Sequence, residues 1–282
     1  MNYFDLHCDT PFECYKRALP LNSNSLAVRT DNVPFFDRWT QCFAIWIDDK
    51  TEKPYSLYKS ILNDFKSKIS LLPKNLFSII TVEGGAVIEN NLSRVEELYQ
   101  DGVRALTLTW NGENAIAGGV NSDKGLTVFG EQVISELNRF KMVCDLSHLN
   151  EKSFYSALEV ARYPIVTHSC CTAVHQNKRN LTDCQLKALF EKNGIIGICF
   201  YPEFAGDDVF EGIYRNILHI CELGYENNIA LGSDFDGAKM HNNLSTVADI
   251  PRLYEFLEQK GIEKRLLDNI FYNNAEKIFV SL

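Results

Sequence analysis

Short apolar runs alternate with longer amphipathic stretches along the whole chain, and this alternation constrains the fold more than any other feature. It predicts repeated βα units around a parallel sheet. Eight runs read as strands, near residues 3–8, 41–47, 76–82, 103–109, 142–147, 164–167, 194–201 and 229–233. Helical periodicity fills residues 92–101, 128–140, 153–162, 182–192, 209–226 and 247–259. The strand runs are rich in Val, Ile and Phe, as strands buried on both faces are, and this suits a closed barrel. The 282 residues lie near the roughly 250 typical of a (β/α)8 barrel. Two small domains would fit that length too, but no repeat or low-complexity linker divides the chain. The expectation is a single α/β domain over residues 1–282, a (β/α)8 TIM barrel. Residues 10–39, with Pro20 and Pro34, and residues 48–75 fit the alternation less well and are expected as loops with helical pieces over or beside the barrel mouth. Residues 263–279 are expected as helix added after the eighth unit.

Charge and cysteine content narrow the partners. Lys and Arg number 28 against 37 Asp and Glu, a net charge of −9. With no basic run, neither nucleic acid nor an anionic membrane surface is expected as a partner. The nine Cys are scattered, several inside apolar runs, and lack C-x-x-C spacing, so they read as reduced core thiols rather than a thiolate metal site. No signal-peptide pattern or membrane-length apolar run is found, so the expected location is cytoplasmic.

Chemistry-bearing residues gather at the ends of the expected strands: His7 and Asp9 after the first, Glu83 after the third, His148 after the fifth, His168 after the sixth and Asp234 after the eighth. The C-terminal ends of barrel strands are where such folds build active sites. Residues two apart on a strand share a side, so His7 and Asp9 can act together while Cys8 turns away. Imidazoles with carboxylates suit Zn²⁺ or a similar divalent ion, and Glu83 has two oxygens with which to bridge a pair of ions. Two such ions about 3.5–4 Å apart can share and acidify a water, which is hydrolytic machinery. Each residue also has a plainer reading. A single strand-end His is more often structural than a ligand, Asp9 can cap the helix that follows, and Asp234-Phe235-Asp236-Gly237 can be a turn, the reading preferred for Asp236. His219, within a helical pattern, reads as structural. H-E-x-x-H, P-loop and G-x-S-x-G motifs are all missing, which removes common rival signatures.

The motifs Asp5-Leu6-His7-Cys8-Asp9-Thr10-Pro11, Val82-Glu83-Gly84-Gly85, Leu106-Thr107-Leu108-Thr109, Asp145-Leu146-Ser147-His148, Thr167-His168-Ser169, Arg179-Asn180 and Gly232-Ser233-Asp234-Phe235-Asp236-Gly237 together resemble, in order, those of the renal (membrane) dipeptidase family. That family belongs to the amidohydrolase superfamily of metal-dependent barrels and hydrolyses dipeptides with two zinc ions. The resemblance implies that His7 and Asp9 bind one zinc, that His148 and His168 bind the other, and that Glu83 bridges them. It implies that Asp234 takes the proton of the attacking water and returns it to the leaving amine. Arg179 matches a substrate-binding arginine, and a bidentate guanidinium suits a terminal carboxylate. Tyr201 matches another substrate contact, although a strand-end aromatic packing on a loop is nearly as good a reading. One departure stands out: animal members carry a histidine after Leu-Thr-Leu-Thr, where this chain has Trp110-Asn111. An indole N–H and an amide can still donate hydrogen bonds there, so these two residues are expected to contact substrate and to alter its range or rate. The resemblance also allows a homodimer. The alternatives are hydrolysis of another small amide or lactam on the same framework, or a catalytically silent barrel.

Overall fold

A computed structural model of the chain describes residues 1–30 and 35–280. Eight parallel strands close into a barrel in sequence order: β1 (Asn2–Cys8), β2 (Arg38–Trp46), β3 (Leu76–Glu83), β4 (Val103–Thr107), β5 (Val143–Asp145), β6 (Pro164–Ser169), β7 (Ile196–Ile198) and β8 (Ile229–Leu231). Pairing of Asp5 with Leu231 closes the ring. The expected strands all form, but β5, β7 and β8 are only three residues long. Backbone bonds continue just past their ends, from the Leu146 amide to the Ile165 carbonyl at 2.8 Å, from Cys199 to Ser169 at 3.0 Å and from Gly232 to Ile198 at 3.1 Å.

The helices between the strands are α1 (Thr10–Arg17), α2 (Pro54–Lys68), α3 (Ser93–Gln100), α4 (Val128–Arg139), α5 (Glu151–Val160), α6 (Asp183–Glu191), the short α7 (Pro202–Ala205) and α8 (Val209–Glu222). After β8 come α9 (Ile250–Gln259), α10 (Lys264–Asp268) and α11 (Asn274–Val280). Residues 48–75 depart from expectation. Instead of loop with helical pieces they hold α2, a 15-residue helix that buries Tyr58, Ile61, Leu62 and Phe65. That is the spacing of an amphipathic helix, and Pro54 stands at its first turn, where proline's missing N–H costs nothing. In residues 10–39 the helical piece is α1, and Pro34 lies outside the described residues.

One apolar layer fills the space between strands and helices, and a second fills the barrel. Inside the barrel, Phe4, Leu6, Cys42, Ala105, Val143, Ile165 and Ala230 meet Tyr272 and Ala275 from the C-terminal segment. The expected terminal helix therefore plugs the bottom of the barrel, with Asn274 Nδ2 donating to the Ile229 carbonyl at 2.9 Å. No cysteine is in a disulfide; seven are buried, Cys221 is half-buried and Cys184 is exposed. No helix among the described residues is long and apolar enough to cross a membrane.

Candidate active site

The ends of β1, β3, β5, β6 and β8 bring His7, Asp9, Glu83, His148, His168 and Asp234 together at the mouth, all buried. His7 Nε2 lies 3.2 Å from Asp9 Oδ2, while the Cys8 thiol turns away to the Cys42 carbonyl. Asp9 occupies the position before α1 but caps nothing with its side chain. Its Oδ1 is buried with no protein partner. On the other side, Glu83 Oε1 lies 2.7 Å from His148 Nε2 and 3.4 Å from His168 Nε2. Glu83 Oε2 lies 3.6 Å from His7 Nε2. Donor atoms close enough to share one cation occur as His7, Asp9 and Glu83, as Glu83, His148 and His168, and as His7, His168 and Asp234. Glu83 is common to the first two groups, one on each of its oxygens.

Hydrogen bonding fixes the tautomers. Thr167 Oγ1 donates to Asp145 Oδ2 at 2.7 Å, so it must accept from His168 Nδ1 at 2.9 Å. Asn111 Oδ1 can only accept, so His148 Nδ1 donates to it at 2.9 Å. Both Nε2 atoms therefore carry lone pairs, and they face each other at 2.8 Å. Two lone pairs and a carboxylate oxygen converging without a proton repel one another unless a cation lies between them. Gly237 belongs to the same arrangement: a Cβ there would stand 2.1 Å from Asp9 Oδ2 and 2.6 Å from Asp234 Oδ1. The donor set, the orphaned Asp9 oxygen and this cleared space fit divalent metal ions.

The electrostatics agree. Burial raises Glu83 well above the usual carboxylate range, and neighbouring Asp9 adds to it. Burial also lifts Asp234 to about 7, partly offset by His7 and reinforced by Asp9. Burial pulls His7 down, but Glu83 and Asp9 outweigh it and push the imidazole up to about 10. Burial, with Arg179 and the other histidines nearby, holds His148 and His168 well below their ordinary value. Without a cation, Glu83, Asp234 and His7 each hold a proton more tightly than they would in water; positive charge at the centre would reverse this.

Two further carboxylates, passed over as ligands, support the mouth from beneath. Asp5 accepts from the Ser233 amide at 2.8 Å and its hydroxyl at 2.6 Å, joining β1 to the chain after β8. Asp145 accepts from Thr107 Oγ1 at 2.5 Å, Ser147 Oγ at 2.7 Å and the Thr167 amide at 3.0 Å, linking β4, β5 and β6. Both stand in the quoted motifs, and only the fold reveals what they hold. Asp236 does form the expected turn, and its half-buried carboxylate also accepts from Thr10 Oγ1 at 2.7 Å and the Ala27 amide at 2.6 Å. His219 pairs with Asp183 at 2.8 Å, away from the mouth.

A cavity of about 610 Å³ opens onto this cluster, lined also by Arg179, Tyr201, Trp110 and Asn111. Arg179 is buried, its Nη2 donates to the His168 carbonyl at 3.4 Å, and its Nε has no partner. Its guanidinium lies over Phe204, against which Tyr201 packs edge-on. Asp49, which sequence reading missed, accepts from the Gly112 amide at 3.0 Å and from Asn114 Nδ2 at 3.1 Å, holding the turn that carries Trp110 and Asn111.

The sequence profile of the membrane dipeptidase family (peptidase family M19) matches residues 65–281. The chain belongs to this family. It is a metallopeptidase of the dipeptidase type, and the β1 pair His7 and Asp9, outside the matched stretch, joins the cluster through the fold. A Klebsiella pneumoniae protein named only for its position beside pqqA is 33% identical over 217 residues, 71% of this chain and 80% of that protein. An uncharacterized dipeptidase of Schizosaccharomyces pombe is 30% identical over 225 residues, 76% of this chain but 55% of its own length. The crystal structure of a metallo peptidase from Rhodobacter sphaeroides, liganded with a phosphinate mimic of the dipeptide L-Ala-D-Ala, superposes with a TM-score of 0.88 at 21% identity, covering 99% of both chains. At that identity the likeness shows the fold, the expected (β/α)8 barrel.

Proposed function

We propose that the chain hydrolyses the peptide bond of dipeptides using two divalent ions, with zinc the ion best suited to its ligands. The observation that carries this reading is Glu83, one oxygen facing each cluster of donors. His7 and Asp9 would hold one ion, His148 and His168 the other, and Glu83 both. When bound, the ions supply a water of lowered pKa and polarise the scissile carbonyl. Asp234, with Oδ1 3.9 Å from His7 Nε2, accepts the proton of the attacking water and returns it to the leaving amine. Arg179 offers an unpaired Nε in a buried site, and a substrate carboxylate there restores the charge balance that burial costs the guanidinium. This limits length, because only a short peptide places its free carboxylate beside the ions. Support for the substrate class comes from family membership and from the phosphinate dipeptide mimic bound by the Rhodobacter sphaeroides structure of the same fold.

Trp110 and Asn111 divide their tasks in this reading. Asn111 spends its oxygen on His148, which orients that imidazole, while its amide nitrogen and the Trp110 indole remain for substrate. The test is amino-acid release from dipeptides, tripeptides and N-acylated amino acids, using metal-loaded protein and a chelator-treated control. Chelator-sensitive cleavage confined to dipeptides is expected. Preferred cleavage of N-acylated amino acids would move the assignment to another amide on the same framework.

A further inference from the structure

The cavity has two dissimilar walls. On the side of β6 and β7 stand Arg179, Tyr201 and Phe204. Across the mouth, contributed by α1, the end of β2 and the turn after β4, stand Phe12, Trp46 and Trp110. These three rings form a continuous edge-to-face chain: Phe12 and Trp46 centroids are 4.8 Å apart at 83°, and Trp46 and Trp110 are 5.2 Å apart at 77°. All three are only half-buried, and no hydrogen bond engages either indole N–H among the described residues. Aromatic side chains left partly bare on a cavity wall are a built apolar surface, and edge-to-face geometry is what such rings adopt with a further ring.

The barrel order gives this wall a partner. In a closed ring of eight strands, β2 and β3 lie opposite β6 and β7. A dipeptide whose carboxylate sits at Arg179 and whose scissile carbonyl faces the metal cluster extends its N-terminal residue toward the aromatic chain. Resting on the dipeptidase reading, we infer that Phe12, Trp46 and Trp110 form the pocket for the N-terminal side chain and select large neutral apolar residues, aromatic ones above all. A cationic side chain is disfavoured, since Lys16 Nζ already lies 5.6 Å from the Phe12 ring centroid. Trp46 and Phe12 were not among the residues singled out in the sequence, because nothing in their local pattern separates a cavity wall from core.

The experiment compares kcat/KM for X-Ala and Ala-X dipeptides, with X as Gly, Ala, Leu, Phe, Trp or Lys. Expected is a rise of about tenfold or more from Gly-Ala to Phe-Ala, the scale of an added apolar group in a pocket. A much smaller gain is expected between Ala-Gly and Ala-Phe. Trp46→Ala and, separately, Phe12→Ala should bring the Phe-Ala to Gly-Ala ratio toward one. Metal content and circular dichroism check that each variant is folded, and either variant suffices. A phosphinate mimic carrying an N-terminal Phe should quench tryptophan fluorescence more weakly in Trp46→Ala. Cleavage with no N-terminal preference, with a preference for Lys, or with a ratio unmoved in both folded variants overturns this inference and leaves the dipeptidase reading standing. No cleavage of any dipeptide by metal-loaded protein overturns both.

Discussion

Single side chains at the mouth have separable tasks, and substitutions should separate them. Glu83→Gln keeps the volume but leaves one neutral carbonyl oxygen and an NH2 that cannot ligate, so metal content, read by mass spectrometry, should fall below two ions per chain and activity should be lost with it. Full activity would remove the bridging role. Asp234→Asn should retain the metals and lower kcat by about 10²-fold or more, the scale of general acid–base catalysis. Retained turnover would exclude Asp234 as the proton carrier. Gly237→Ala tests the space around the ions rather than any functional group. Its Cβ would press within 2.1 Å of Asp9 Oδ2, so weakened metal binding without global unfolding is expected, and normal metal affinity would show that the turn can move aside. His148 and Asp234 have backbone φ values of 68° and 63°, a region that costs non-glycine residues energy and persists where surroundings impose it. The candidate ligands were legible in the sequence because several carboxylates and imidazoles recur at the ends of apolar runs, although each taken singly has a structural alternative. The residues that orient them were not, since Thr167, Asn111 and Asp145 look like ordinary polar residues until the strands bring them together.

Between elements, the loop after β2 controls the loop after β4. Asp49 accepts from the Trp110 and Gly112 amides and from Asn114 Nδ2, and Asn111 in that turn accepts from His148. Asp49→Ala should therefore loosen a ligand it never touches. A loss of about 10- to 100-fold in affinity for one of two ions is expected, the usual effect of removing an outer hydrogen-bond partner, measured by competition with a chromophoric chelator. Equal loss at both ions would point to general unfolding of the mouth instead. This coupling joins residues 61 to 65 apart in sequence, which is why periodicity could not expose it. The same limit explains α2. Its apolar spacing, Tyr58, Ile61, Leu62 and Phe65, was present, but residues 48–75 as a whole fit the strand–helix alternation poorly and so read as loop with helical pieces. Elements with clear caps, such as α6 with its Thr182–Gln185 capping box, stood where expected.

Over the whole molecule, the barrel trades stability for a cluster of like charges, and metal binding offsets that cost. The consequence is a pH dependence with a definite direction. Below its ordinary value of 6.5, His7 is protonated in both folded and unfolded chains, and its favourable pairing with Glu83 and Asp9 counts in full. Between 6.5 and about 10 only the folded metal-free protein keeps that proton, so its stability falls as pH rises through this window. Raised Glu83 and Asp234 act in the same sense, Asp234 over the range from 3.8 up to about 7. His148 and His168, held neutral by burial, act oppositely, but only as pH drops below 6.5. Above pH about 7 the contribution of His7 goes on falling, with raised Glu83 acting in the same sense, at roughly 1.4 kcal/mol per pH unit for one proton. Metal binding displaces that proton and so strengthens as pH rises. The gap in Tm between metal-loaded and chelator-treated protein should widen by a few degrees from pH about 7 to about 8.5, measured by calorimetry in matched buffers. A constant gap would mean that His7 gives up its proton near neutrality and that Glu83 and Asp9 stand closer to solvent than their burial indicates.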